Sequence, residues 1–285
     1  MRWLRTCFVV YIILIGLDNV SAQYYIAGQD PASINWQQID HPDFEIIYPE
    51  SAALQAYRVA NILEHSYKKV SQTLGPKPRK ITIVLHNQTV VSNGFVSPTP
   101  FRMELFTTPP QDNQPVPWLE HLVLHEMRHV VQIDKLNQGM SKVLSYLFGQ
   151  QARGAIAGLM PMWYYEGDAV LAETALTKGG RGRLSEFKKE WRSLSMDSSK
   201  TLSFNKMLLG SYKDKTPDHY ALGYHLVSFA RKEFGTNTWE KVEHYLARNP
   251  YQIVAFNTGL KKYTGKYAGR LYQDAAIYFD SLWHE

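Results

Sequence analysis

The pentapeptide His125-Glu126-Met127-Arg128-His129 gathers two imidazoles and a carboxylate within little more than one helical turn. On a helix, positions i and i+4 share a face, so both imidazoles can grip one cation. Zinc held in that way polarises a carbonyl and lowers the pKa of its bound water to about 7. The carboxylate next to the first histidine is then placed to take the proton from that water. His125 and His129 are thus read as zinc ligands and Glu126 as the general base. A third ligand has to come from elsewhere in the chain.

The segment Pro161-Met162-Trp163-Tyr164-Tyr165-Glu166-Gly167-Asp168-Ala169 sets a carboxylate in an apolar, aromatic run. Burying Glu166 there is costly unless it is paired or bound to a cation. Glu173 follows two helical turns later on the same face. Beside the histidine motif, Glu166 reads as the third ligand and Glu173 as the carboxylate that orients a zinc histidine. The alternative is an amphipathic helix with two surface glutamates. His121, one turn before His125, is expected to support or pack rather than ligate. Arg128 points elsewhere on the helix, and a structural ion pair is its expected role. Arg181 and Arg183 could receive a substrate carboxylate through their guanidinium forks, or simply be solvated.

These residues need elements to hold them. At the start of the chain, Arg2 and Arg5 precede an apolar run from about Cys7 to Gly16, and Val20-Ser21-Ala22 is a small-residue cleavage signature. Residues 1–22 are expected to be a secretory signal peptide, since the run falls short of the roughly 20 residues a membrane span requires. A retained anchor is the alternative. Cleavage after Ala22 would leave 263 of the 285 residues, no cysteine, and a formal charge reduced from +5 to about +4 as Arg2, Arg5 and Asp18 leave. Such a domain must rely on core burial rather than disulfides, and cysteine is excluded as nucleophile or ligand. No Lys/Arg block is long enough to point to nucleic acid. The expected setting is outside the cytoplasm, periplasmic or secreted in a Gram-negative-type bacterium, with no membrane span after signal-peptide removal.

Phe44 to Tyr48 and Ile81 to Leu85 read as strands, with a helix from about Ser51 to Leu74 between them. Phe101 to Thr107 alternates and is bracketed by prolines, which predicts an edge strand. From Trp118 onward the pattern is helical: Trp118 to Ile133, Pro161 to Leu176, Pro217 to Phe234 and about Gly265 to Trp283. Thr216 and Pro217 predict the cap and first turn of the third of these. The fold class is therefore α+β. Residues 23–117 form a small mixed lobe with a short sheet, and residues 118–285 a helical lobe carrying the HExxH helix, the two making one catalytic unit.

With both motifs in view, the chain resembles the gluzincin metallopeptidases, which include thermolysin and the aminopeptidase N-like enzymes. In the aminopeptidase branch the third ligand is the Glu of an N-E-G-F-A segment, with another Glu seven residues on. Here Y-E-G-D-A-V-L-A-E aligns Glu166 with the ligand and Glu173 with the supporting position. The resemblance also implies a downstream tyrosine that stabilises the oxyanion, and Tyr220 matches it best, with Tyr224 and His219 nearby. More closely, residues from about Trp36 to Phe187 look like a peptidase MA-like domain of exported bacterial proteins. The matching pieces are Asn93-Gly94, W-L-E-H-L-V-L-H-E-M-R-H-V-V-Q, P-M-W-Y-Y-E-G-D-A and G-R-G-R at Gly180 to Arg183. Those proteins typically continue into a TolB-like β-propeller, which is expected to be absent here.

Between His129 and Glu166 lie 36 residues, about twice the aminopeptidase spacing, so Lys135 to Leu159 is expected to be an insertion. Its apolar stretches predict a helical hairpin over the cleft, with a membrane-facing role as the alternative. The resemblance implies an edge strand that pairs with extended substrate, a part assigned here to Phe101 to Thr107. The expected function is an exported zinc peptidase acting on peptides or proteins. No G-A-M-E-N-like segment supplies carboxylates for a free amine, which tilts the reading towards an endopeptidase. The rivals are a catalytically idle scaffold domain with an envelope protein partner, and a metal-dependent hydrolase of non-peptide bonds.

Overall fold

Alternating apolar residues build the centre of the sheet. In a computed structural model, which describes residues 30–75, 77–111, 116–196 and 202–284, strands β1 (Trp36–Asp40), β2 (Phe44–Pro49), β3 (Ile81–His86), β4 (Ser92–Pro98) and β5 (Phe101–Thr107) pair in the order β1-β2-β3-β5-β4. β2, β3 and β5 run parallel, while β1 and β4 are antiparallel edges. Ile46, Ile81, Ile83, Leu85, Met103 and Leu105 are buried. The expected signal peptide over residues 1–22 lies outside the described residues.

Helix α1 (Ala53–Ser71) buries Ala56, Val59, Leu63, Tyr67 and Val70 at steps of three or four residues, the repeat of one helical face. Beside it, α2 (Trp118–Lys135) also packs on the sheet, and every residue from His121 to Ile133 is buried. A helix buried all round must be covered on its far side too. Helices α3 (Gly139–Phe148), α4 (Gln150–Ala157), α5 (Met162–Leu176), α6 (Ser185–Met196), α7 (Phe204–Leu209), α8 (His219–Phe234), α9 (Thr238–Arg248), α10 (Ala255–Thr264) and α11 (Ala268–His284) complete the mixed α+β fold.

Two features lock the helices that carry the motifs. A Cβ on Gly167 would lie 2.1 Å from the Gly223 carbonyl carbon, and one on Gly223 would lie 1.7 Å from the Trp163 oxygen. Helices α5 and α8 therefore cross backbone against backbone, and only glycine fits at either position. One residue on, Asp168 is fully buried and takes Arg128 Nε at 2.6 Å, Arg128 Nη2 at 3.0 Å and Arg231 Nη2 at 2.7 Å. Arg128 also donates to Val70 O and Thr73 Oγ1, which ties in the end of α1. The two guanidinium groups hold Asp168 below the usual carboxylate range even though burial alone would raise it. Arg128 is structural, as its position on the helix predicts.

Three expectations are corrected. β5 is not an edge: it pairs with β3 on one side and β4 on the other. The bracketing prolines all fall outside β5, Pro98 and Pro100 at the end of β4 and in the turn, Pro109 and Pro110 beyond Thr107, so none removes a donor from it. Helix α8 begins at His219, and its cap is Asp218, which accepts from Ala221 N at 2.8 Å; a carboxylate is the better acceptor at a positive helix end. The expected hairpin does form, as α3 and α4 joined at Gly149 with φ of 73°. It sits beside the end of β4, where Thr99 Oγ1 donates to Gln150 O at 3.1 Å and Phe101 N to Gln150 Oε1 at 2.8 Å. No residue of it lines the cleft described below.

The Gly167–Gly223 crossing predicts an asymmetric response to adding a methyl group. Gly223→Ala should lower the melting temperature by the equivalent of about 3 kcal/mol or more, the upper end of overpacking penalties. Gly269→Ala on α11, whose nearest atom would be 3.9 Å away, should leave it unchanged or slightly higher. Calorimetry on the two variants reads the difference.

Candidate metal centre

His125, His129 and Glu166 come together as buried residues with their ligand atoms mutually close. His125 Nε2 lies 3.1 Å from Glu166 Oε2, His129 Nε2 lies 3.3 Å from the same oxygen, and the two Nε2 atoms are 3.2 Å apart. The edge of a tetrahedron is about 1.63 times its centre-to-vertex distance, so zinc bonds of roughly 2.0–2.1 Å put ligand atoms about 3.3–3.4 Å apart. The three atoms thus outline one face of such a tetrahedron with little adjustment. Two imidazoles and one carboxylate, with the fourth position left open, suit a catalytic zinc ion.

Each histidine can present its Nε2 lone pair only if the proton sits on Nδ1. His125 Nδ1 is 3.0 Å from Glu173 Oε2, and His129 Nδ1 is 2.8 Å from Gln132 Oε1. Neither acceptor can give a proton back, which fixes both tautomers. Gln132 is itself oriented, because its Nε2 donates to Tyr165 O at 3.0 Å and to Asp168 Oδ2 at 3.1 Å. Glu173 is fully buried and gripped by Arg181, with Nε at 2.8 Å from Oε1 and Nη2 at 3.0 Å from Oε2. Arg181 Nη2 is also 2.9 Å from His125 Nδ1; with the proton on Nδ1, the guanidinium hydrogen goes to the carboxylate. His121 Nε2 lies 2.9 Å from Glu173 Oε2 without the alignment of a hydrogen bond. Burial would raise the Glu173 pKa; its partners His121, His125 and Arg181 outweigh that and hold it ionised.

Glu126 faces the same cleft with its Oε2 buried and without a hydrogen-bond partner. Burial raises its pKa, against the pull of His129 and His125, which is the direction a proton acceptor near neutral pH needs. Tyr220 lines the cleft from α8, under the Arg181 guanidinium at 5.0 Å from its ring centre. Burial, reinforced by Glu166, pushes its hydroxyl up to about 12, so it keeps its proton and can donate. His219 packs on the Tyr220 ring, 4.5 Å between ring centres, and does not line the cleft, and Tyr224 packs against Gly182. The cleft, of about 220 Å³, is closed on its sheet side by Asn93 to Val96 of β4. Gly94 makes that approach feasible, since a Cβ there would lie 2.9 Å from both Glu126 Cγ and Leu122 Cδ1.

One expectation changes. Arg181 is spent on Glu173, and Arg183, which donates to Thr174 O at 3.0 Å, does not line the cleft. Gln132, Tyr165 and β4 are further parts of the site, to which the sequence motifs assign no role. Gln132 carried a signal, one turn past His129 on the same face. Tyr165, which stacks on His129 at 4.0 Å between ring centres, carried only its adjacency to Glu166.

No family model matches the chain, and no curated protein matches it. Among solved structures, it is similar to an aminopeptidase N family protein from Idiomarina loihiensis, with 14% identity and a TM-score of 0.40. The match covers 85% of this chain and 46% of that one, so this chain spans less than half of that structure's length. A likeness that distant assigns no residue.

The geometry predicts proton-coupled metal uptake. Burial alone would lower the His125 pKa, yet hydrogen bonds to Glu166 and Glu173 lift it to about 9. Below that pH an incoming cation must displace the proton, so apparent zinc affinity should rise about tenfold per pH unit between 6.5 and 8.5. Competition with a chromogenic chelator across that range measures the slope, and calorimetry in buffers of different ionisation heat counts the proton released.

Proposed function

We propose that the chain is a gluzincin-type zinc peptidase that cuts inside polypeptides. One observation carries the reading: three ligand atoms 3.1–3.3 Å apart beside a buried glutamate whose Oε2 has no other partner. A purely structural metal site would have no use for Glu126 in that position. His125, His129 and Glu166 would hold the ion. When bound, zinc supplies Lewis acidity to the scissile carbonyl and to water.

Glu126 accepts the proton from the attacking water, whose hydroxyl adds to the carbonyl carbon, and then delivers that proton to the departing amine nitrogen. The Tyr220 hydroxyl donates to the carbonyl oxygen as negative charge builds on it. Among the described residues β4 has no partner on its outer side, and an extended peptide can add to such an edge through main-chain hydrogen bonds. The cleft is smaller than the roughly 300–1,000 Å³ of sites that enclose a whole small molecule, which suits a chain lying across its mouth. Among the described residues its lining holds no carboxylate beyond Glu126 and Glu166, so none of them remains to grip a free terminal amine. That supports internal cleavage over trimming of N-termini. Export to the periplasm or medium is part of the proposal and rests on the N-terminal sequence. Among the described residues, no helix is long and apolar enough to cross a membrane.

An N-acetylated, internally quenched peptide library tests the reading. Wild type should cleave blocked peptides at internal bonds. Glu126→Gln should be slower by about 10²–10⁴-fold, the range for a lost acid–base group. Tyr220→Phe should lose about 10²–10³-fold in kcat with KM little changed, as for a lost oxyanion donor. Release of single residues from free N-termini alone would overturn the endopeptidase reading.

A further inference from the structure

Helix α3 turns outward what helices normally bury. Met140, Val143, Tyr146, Leu147 and Phe148 are all exposed, the last three at 79%, 69% and 67%, while only Ser141 is buried. Single exposed apolar residues need no explanation, but this many on a ten-residue helix form a patch of the kind that marks an interaction site. The helix starts against the end of α9: a Cβ on Gly139 would lie 2.8 Å from Arg248 Cγ, and His244 Nδ1 is 2.8 Å from Gln138 Oε1. From that corner, the loop after α9 carries Tyr251 and Ile253 into solvent at 71% and 86%, with Val254 exposed beside them.

Charge decides what such a surface fits. No Asp or Glu occurs between Lys135 and Glu166, or between Glu243 and Asp274. Lys135, Lys266 and Arg270 are engaged with Glu240 and Asp274. Lys142, Arg248, Lys261 and Lys262 are exposed and belong to no ion pair among the described residues. Lys262 Nζ lies 5.2 Å over the ring of Tyr245, close to Arg248 on α9, so the α10 lysines border the same corner. Its acids, Glu240 and Asp274, are already paired, so a second copy would bring one face of unpaired cations against another, which is repulsive.

We propose that α3 and the loop after α9 form a docking surface for an anionic phospholipid bilayer. Apolar side chains would enter the headgroup–acyl boundary, tyrosines would sit at headgroup level, and the unpaired cations would meet lipid phosphates. α3 would lie in the plane of the interface. None of these residues lines the metal cleft, so the proposal stands or falls apart from the catalytic reading.

The full chain with Cys7→Ser and Leu147→Cys, carrying an environment-sensitive dye at residue 147, tests this directly. Vesicles of equal phosphatidylglycerol and phosphatidylcholine should shift the dye emission to the blue, while pure phosphatidylcholine should do so far less. A dye placed instead through Leu54→Cys, an exposed position on α1, should not respond. At about 1 kcal/mol per basic residue near an anionic surface, or roughly fivefold each, Lys261→Gln with Lys262→Gln should weaken vesicle binding about 25-fold. No shift at residue 147 on anionic vesicles would overturn the proposal, as would an equal shift on both lipids. A shift produced by raising protein concentration without lipid would point to self-association and overturn it as well.

Discussion

Two imidazoles can offer lone pairs to one point only when both carry their protons on the far nitrogen. The rest of the site follows from that constraint. His125 meets it through Glu173, which Arg181 grips, and His129 through Gln132, which Asp168 and the Tyr165 carbonyl hold. Each chain of hydrogen bonds ends on an arginine, the partly exposed Arg181 or the buried Arg128, so each acceptor stays an acceptor. Removing one partner from a buried pair such as Arg128–Asp168 leaves an uncompensated charge, at a penalty of about 3–5 kcal/mol. The same groups therefore stabilise the helix packing and prepare the ligands.

The helix crossing supplies the remaining geometry. Because α5 and α8 touch through Gly167 and Gly223, the residue before one glycine, Glu166, and a residue three before the other, Tyr220, both face the α2 histidines. Asp168, next along α5, binds arginines from α2 and α8 together. Three helices are fixed at one place, within two residues of a proposed ligand. On the opposite side, Gly94 lets the edge strand β4 lie against Glu126 and Leu122.

What could be read from the sequence was local. HEMRH, the Glu166–Glu173 spacing and the apolar periodicity of α1, β2 and β3 are short-range patterns, and the folded chain brings those residues together. The misses were matters of pairing. Phe101 to Thr107 is a strand with the expected bounds, but its neighbours depend on β4, whose Ser-Asn-Gly-Phe-Val sequence has little strand character of its own. Nothing near Arg181 in sequence indicates that Glu173 will consume its guanidinium. Gly223 reads as an ordinary helix glycine until Gly167 is set against it. Long-range partners are chosen by tertiary packing, and a single sequence does not record them.

The central claim is that one cation is held by His125, His129 and Glu166 while Glu126 does chemistry without holding it. Zinc content per chain, measured together with peptide hydrolysis in wild type, Glu126→Gln and His129→Ala, separates those two roles. The account predicts about one zinc in wild type and in Glu126→Gln, the stoichiometry of a three-ligand site, loss of zinc from His129→Ala, and hydrolysis by wild type alone. Zinc retained in full by His129→Ala, or hydrolysis undiminished in Glu126→Gln, would contradict it.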